Sequence, residues 1–167
     1  MLRTIIIDDE HRGRSVLRLL LEKFCPDVTI EAEAASVDEG RRLIDAIRPD
    51  LVLLDIEMPS KNGFQMLDEI PDRNFAVVFV SAHERYAMKA VGYNAVGYLL
   101  KPVDIHELQS AIVRAAAFKS VQAQAATSQS GASQTGTSQS GTSQAGGITV
   151  ADYPFGESTA PNIRKLQ

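Results

Sequence analysis

LVLLDIEMP, residues 51–59, decides the fold. Four apolar residues run without a polar break into Asp55. An unbroken apolar run of this length suits a strand buried on both faces of a parallel sheet, whereas a strand with one wet face would alternate. Working outward, residues 2–7 and 76–80 repeat the type, the first ending at Asp8 and Asp9 and the second at Ser81, while Tyr98, Leu99 and Leu100 form a shorter run ending at Lys101. Between the runs lie helical patterns, with Val16, Leu17, Leu20 and Phe24 on one predicted stripe and Leu43, Ile44 and Ile47 on the next. Ser36 followed by Glu39, and Asp104 followed by Glu107, have the spacing of capped helix starts, and Pro26 and Pro49 stand where helices should stop. Strand and helix therefore alternate. That order predicts an α/β parallel sheet with right-handed crossovers, helices on both faces, and any ligand at the carboxyl ends of the strands.

The charge distribution sets the boundaries. Of 38 charged residues among 167, all but four lie in residues 1–119, and none falls in 120–151. Residues 128–147 read as SQSGA, SQTGT, SQSGT and SQAGG, an internal repeat of small polar residues that buries nothing and predicts a flexible linker over 120–147. Residues 148–167 form a short tail, below the size that folds alone. A net charge of −4 gives no basic field for a phosphate backbone, so direct nucleic-acid binding is not expected. The single Cys25 closes no intrachain disulfide and fits a reducing cytoplasm, and no apolar run approaches the ~20 residues that cross a bilayer.

The predicted strand ends bring together Asp8, Asp9, Asp55, Ser81 and Lys101. Each has an ordinary explanation on its own: a solvated loop, a cap, a surface charge. Five independent caps would not, however, supply three acids, a hydroxyl and an ammonium at one sheet edge. Clustered carboxylates repel one another unless a hard divalent cation and a lysine offset them, and Mg²⁺ suits such an oxygen set.

DDE at 8–10, LLDIEMP at 53–59, FVSAH at 79–83 and YLLKP at 98–102 together resemble response-regulator receiver domains, over about residues 1–119. The resemblance implies a flavodoxin-like doubly wound five-stranded sheet in the order 2-1-3-4-5. It implies that Asp55 takes a phosphoryl group from a phosphohistidine on a sensor histidine kinase or histidine phosphotransfer protein. Mg²⁺ would be bound by the carboxylates of Asp9 and Asp55, by the backbone carbonyl of Glu57, and by Asp8 through water. Lys101 and Ser81 would assist the transfer. Ser81 is similar to the family's hydroxyl switch and Tyr98 to the aromatic that follows it, Glu57 and His83 to positions that tune phosphoryl lifetime, and Lys101-Pro102 to its cis peptide bond.

Tyr86, Met88 and Val91 are expected in the core, with an exposed face for a homodimer through the fourth and fifth helices as the alternative. His11 and His106 are expected on the surface at helix starts. Residues 81–103 resemble receivers joined to LytTR-type DNA-binding domains; the tail then reads either as the remnant of a truncated output domain or as a tethered recognition peptide. Three rivals remain: a degenerate receiver serving as an interaction module, a haloacid-dehalogenase-like phosphatase, and a flavodoxin-like cofactor binder. The phosphatase needs its acidic pair downstream of the nucleophile and an Asp where Glu57 stands. The cofactor binder needs a Gly/Ser/Thr phosphate loop after the first strand.

Overall fold

The structure, a computed structural model, describes residues 1–130. Five parallel strands, β1 (Leu2–Ile7), β2 (Val28–Ala34), β3 (Leu51–Asp55), β4 (Ala76–Ser81) and β5 (Gly97–Leu100), form one sheet in the order β2-β1-β3-β4-β5. The connections carry α1 (His11–Phe24), α2 (Val37–Ile47), α3 (Gly63–Asp68) and α4 (Ala87–Gly92), the last preceded by a 3-10 turn at Glu84–Tyr86, and α5 (Ile105–Ser130) follows β5. The expected doubly wound architecture is thus present.

The unbroken apolar runs have a direct cause: successive residues of β3 and β4 face opposite layers, and both layers are dry. Val52 and Leu54 with Val77 and Phe79 join the core beneath α2, α3 and α4, while Leu51 and Leu53 with Val78 and Val80 join the core beneath α1 and α5. Strands covered on both sides have no wet face to mark with polar residues. β2 is the edge, only partly buried, and its Glu31 and Glu33 pair with Arg3 and with Arg14 and Arg18. Charges on an outer strand hinder pairing with a foreign strand.

The predicted helix starts are present. Ser36 Oγ accepts from the Glu39 amide, Glu39 Oε2 accepts from the Ala35 amide, and Asp104 Oδ1 accepts from the amides of His106 and Glu107. Ser36→Ala is therefore expected to lower stability by about 1 kcal/mol, read as a smaller denaturation midpoint at constant slope.

Three expectations need correction. On α1 the fully buried positions are Leu17 and Leu21, while Val16 is 46% and Phe24 36% exposed. With apolar residues at 16, 17, 19, 20, 21 and 24 the stripe is broad enough to be read in either of two phases, and the contact with β1 and α5 picks Leu17/Leu21. On α4, Met88 and Val91 lie outside the core at 83% and 50% exposure; Tyr86 is half-buried against the core. A helix of six residues has room to bury only Ala90. Finally, α5 runs to Ser130, so residues 120–130, expected in the flexible linker, are helical. No Gly or Pro interrupts residues 103–130, and the Ala-rich segment has high helix propensity, so loss of charge does not end the helix. The remainder of the linker and the tail at 148–167 lie outside the described residues. Among the described residues no helix is long and apolar enough to cross a membrane.

Candidate functional site

All five residues singled out at strand ends meet at the carboxyl edge of the sheet. Asp8 and Asp9 follow β1, Asp55 and Ser81 close β3 and β4, and Lys101 follows β5. Asp8, Asp55 and Ser81 are buried, with 5% exposure or less, Asp9 and Lys101 are partly exposed, and Glu57 stands in solvent beside them. Carboxylate oxygens of Asp8, Asp9 and Asp55 lie within 4.8 Å of one another.

The Lys101 ammonium bridges the cluster, 2.8 Å from Asp55 Oδ2, 2.9 Å from Asp8 Oδ2 and 3.6 Å from Glu10 Oε2. Its own amide donates to the Ser81 carbonyl at 2.8 Å, which ties the residue to the end of β4, and the Lys101-Pro102 peptide is cis. Burial pushes the lysine toward neutrality, but hydrogen bonds and charge from Asp55 and Asp8 outweigh it and hold the ammonium above the usual lysine range. Asp55 is moved the other way from a typical carboxylate. Burial raises its pKa, Lys101 opposes, and neighbouring Asp8 adds to the rise.

Three carboxylates facing one ammonium leave a net negative pocket. Asp8 Oδ1 accepts from the Glu10 amide at 2.8 Å, but its buried Oδ2, although close to Lys101, takes no well-directed hydrogen bond. Three clustered carboxylates that one ammonium does not neutralise form an all-oxygen set that fits a hard divalent cation, since hard cations take carboxylate and carbonyl oxygen ligands.

Several positioning groups were not legible in the sequence. Arg14 Nη1 donates to the carbonyls of Asp8 and Asp9 at 2.7 and 3.3 Å, and Arg14 Nε lies 3.4 Å from Glu33 of β2, so a partly buried guanidinium fixes the acidic loop. Gly13 lets α1 approach: a Cβ there would stand 2.4 Å from Asp8 Oδ2. At Gly63 a Cβ would meet the Asp55 carbonyl at 2.4 Å. The only local signal was a glycine inside a helix, and a long-range ion pair leaves none. Gly13→Ala is expected to lower stability by about 1–2 kcal/mol through overpacking, against the gain of about 0.5–1 kcal/mol the same change gives in an unhindered helix. Gly92→Ala, where nothing stands within 4 Å, is the matched control, and thermal melts of the two variants should move in opposite directions.

On the far side of Asp55, Ser81 Oγ accepts from the His83 amide at 3.2 Å, and the Tyr98 hydroxyl donates to the His83 carbonyl. The Glu57 amide donates to Asp55 Oδ1 at 3.2 Å, and the Glu57 side chain contacts His83 and Arg85. His11 and His106 are exposed and stand apart from the cluster.

The profile of the family described as Response regulator receiver domain matches residues 4–113. The chain is 37% identical over 123 residues to the Positive alginate biosynthesis regulatory protein of Pseudomonas aeruginosa, covering 72% of this chain and 50% of that one. To the Nitrate/nitrite response regulator protein NarL of Escherichia coli it is 36% identical over 124 residues, covering 72% and 57%. Among solved structures, a DNA-binding response regulator of the LuxR family from Staphylococcus aureus superposes with a TM-score of 0.62 at 30% identity, covering 69% of this chain and 98% of that one. A response regulator receiver domain protein from Clostridium thermocellum gives 0.63 at 30% identity, covering 72% and 98%. The chain spans about half the length of the curated relatives it matches.

Proposed function

We propose, since the chain belongs to the response regulator receiver domain family, that it is a switch driven by phosphorylation of Asp55, with a sensor histidine kinase or a histidine phosphotransfer protein as donor. The observation that carries this reading is the convergence of Asp8, Asp9 and Asp55 with the Lys101 ammonium at the carboxyl edge of the sheet.

In the transfer an Asp55 carboxylate oxygen attacks phosphorus. The P–N bond of the phosphohistidine breaks, its electron pair returns to the imidazole, and an acyl phosphate remains on Asp55. Asp9, Asp55 and the Glu57 carbonyl would hold Mg²⁺, with Asp8 reaching it through water; when bound, the ion supplies positive charge to the phosphoryl oxygens. Lys101, already protonated and 2.8 Å from Asp55, is set to neutralise another of those oxygens. Positioned charge of this kind is where phosphoryl transfer gains most of its rate. The Glu57 amide fixes the orientation of the attacking carboxylate. Ser81 and Tyr98 would carry the change outward: the serine hydroxyl turns to the new phosphoryl oxygen, and the tyrosine moves with the loop to which its hydroxyl is already bonded. The phosphoryl group thereby favours one of two arrangements, a population shift.

The receiver unit is assigned to residues 1–119, with α5 continuing beyond it, in a chain acting in the cytoplasm. The exposed Met88 and Val91 on α4 and Val113 on α5 support a homodimer face at the fourth and fifth helices, and a net charge of −4 supports no direct contact of this chain with nucleic acid.

Incubation with Mg²⁺ and acetyl phosphate, followed by intact-mass measurement and peptide mapping, tests the central reading. Gain of one phosphoryl group on Asp55 supports it. No gain under conditions where Mg²⁺ binds would indicate a degenerate receiver.

A further inference from the structure

Glu57 has 43% of its side chain in solvent, yet three side chains from a single segment converge on its carboxylate. Arg85 Nη2 and the Tyr86 hydroxyl each donate to Oε1 at 3.1 Å, and His83 Nε2 lies 2.9 Å from Oε2. All three stand between β4 and α4. Tyr86 gives this grip a fixed base, because its ring packs edge-on against buried Phe64 at 6.0 Å and the Arg85 guanidinium lies over it at 4.8 Å. Glu57 is at the same time bonded through its amide to Asp55 Oδ1, and His83 through its amide to Ser81 Oγ. The acceptor loop and the switch loop are therefore joined through the Glu57 carboxylate, a link that does not pass through the serine hydroxyl.

Exposed ion pairs contribute little to folding. Their effect here is on position: three partners hold the Glu57 carboxylate to the segment between β4 and α4.

We propose that Arg85 and Tyr86 are positioning residues for the lifetime of the phosphoryl group, holding Glu57 against the switch loop so that hydrolytic water is kept from the side of Asp55 between the two loops. The proposal rests on phosphorylation of Asp55. In the reaction it restrains, a water oxygen bonds to phosphorus and the acyl P–O bond breaks. Asp55 is returned as carboxylate, and dihydrogen phosphate leaves with both protons of the water before exchanging with solvent. Keeping the attacking water out slows the loss without altering the acceptor.

The test is a mutant cycle on the full chain. Parent, Arg85→Ala, Arg85→Lys, Tyr86→Phe, Glu57→Ala and the doubles Glu57→Ala/Arg85→Ala and Glu57→Ala/Tyr86→Phe are phosphorylated with acetyl phosphate and Mg²⁺. They are then desalted and followed by intact mass. Arg85→Ala and Tyr86→Phe are expected to shorten the half-life by about two- to fivefold, the range that exposed pairs supply, and Arg85→Lys to recover part of it. Glu57→Ala shortens it at least as much, and the doubles decay no faster than Glu57→Ala alone, because a residue acting through Glu57 has nothing left to position. Unchanged half-lives in both single variants, or doubles that multiply the single effects, would overturn the proposal while leaving Asp55 phosphorylation intact. A parent that gains no phosphoryl group overturns both readings.

Discussion

Asp55→Asn is expected to gain no mass from acetyl phosphate while folding at least as well as the parent. The amide lacks the anionic oxygen that attacks phosphorus, and the neighbouring acids cannot substitute: Asp8 is buried against Lys101, and Asp9 belongs to the β1–α1 loop. The effect on stability follows from the charge. Burial holds the Asp55 pKa above its ordinary value despite Lys101. The folded state therefore binds a proton more readily than the unfolded one, and this site's contribution to stability falls as pH rises from the unfolded toward the folded pKa. Above that window the ionised side chain is a net cost, which asparagine removes. Without divalent cations the variant should melt above the parent at neutral pH, with the gap closing on acidification through the carboxylate range. Added Mg²⁺ should raise the parent's melting temperature more than the variant's, since a ligand stabilises in proportion to its affinity for the folded state. A parent that melts higher than the variant at every pH would contradict this account.

Lys101→Ala carries the second large effect. The ammonium serves both Asp55 and Asp8 and is largely withdrawn from water, with 22% of its side chain exposed. Its removal strands two buried carboxylates, and breaking a buried pair by deleting one partner costs about 3–5 kcal/mol. Partial protonation of the acids or an entering Mg²⁺ should recover some of that, so the melting deficit is expected to shrink at low pH and in millimolar Mg²⁺. The chemistry loses more. Removing a preorganised positive group aimed at developing charge typically lowers a rate by about 10²–10³-fold, and initial rates of mass gain from acetyl phosphate should fall in that range. Lys101→Arg distinguishes the two roles: it restores charge to the pocket and hence stability, while a larger planar head does not reproduce one ammonium shared among Asp55, Asp8 and Glu10.

Much of the site was legible because its residues end strands that are unmistakable. β3 and β4 are apolar on both faces, and β1 becomes so after Arg3 and Thr4, so the first polar residue after each run marks the sheet edge, and Asp8, Asp55 and Ser81 all sit there. Lys101 was legible from the shorter run Tyr98, Leu99 and Leu100 that it follows, although β5 is an edge strand with only Leu99 buried. What the sequence hid is interaction at a distance. Arg14 reads as one more charge on a helix with several, and nothing local links it to the carbonyls of Asp8 and Asp9 or to Glu33. Arg85 likewise meets Glu57 across 28 residues. The phase of α1 was ambiguous because six apolar residues cover more than one face, and α4 was taken for a core helix because Met88 and Val91 are apolar in a segment too short to bury them. β2 was the least legible strand, since an edge carrying Glu31 and Glu33 lacks the unbroken run.

α5 gives the molecule a property that a coil at its end would not. Its 26 residues span about 39 Å as a rod, and Lys119 bolts the middle of that rod to the sheet through Asp50 at 2.8 Å and the Met1 carbonyl at 3.1 Å. Beyond the bolt, one residue added to the helix advances its end by only about 1.5 Å but turns it by about 100°. Along residues 120–130 the helix therefore changes the direction it presents far faster than it gains reach.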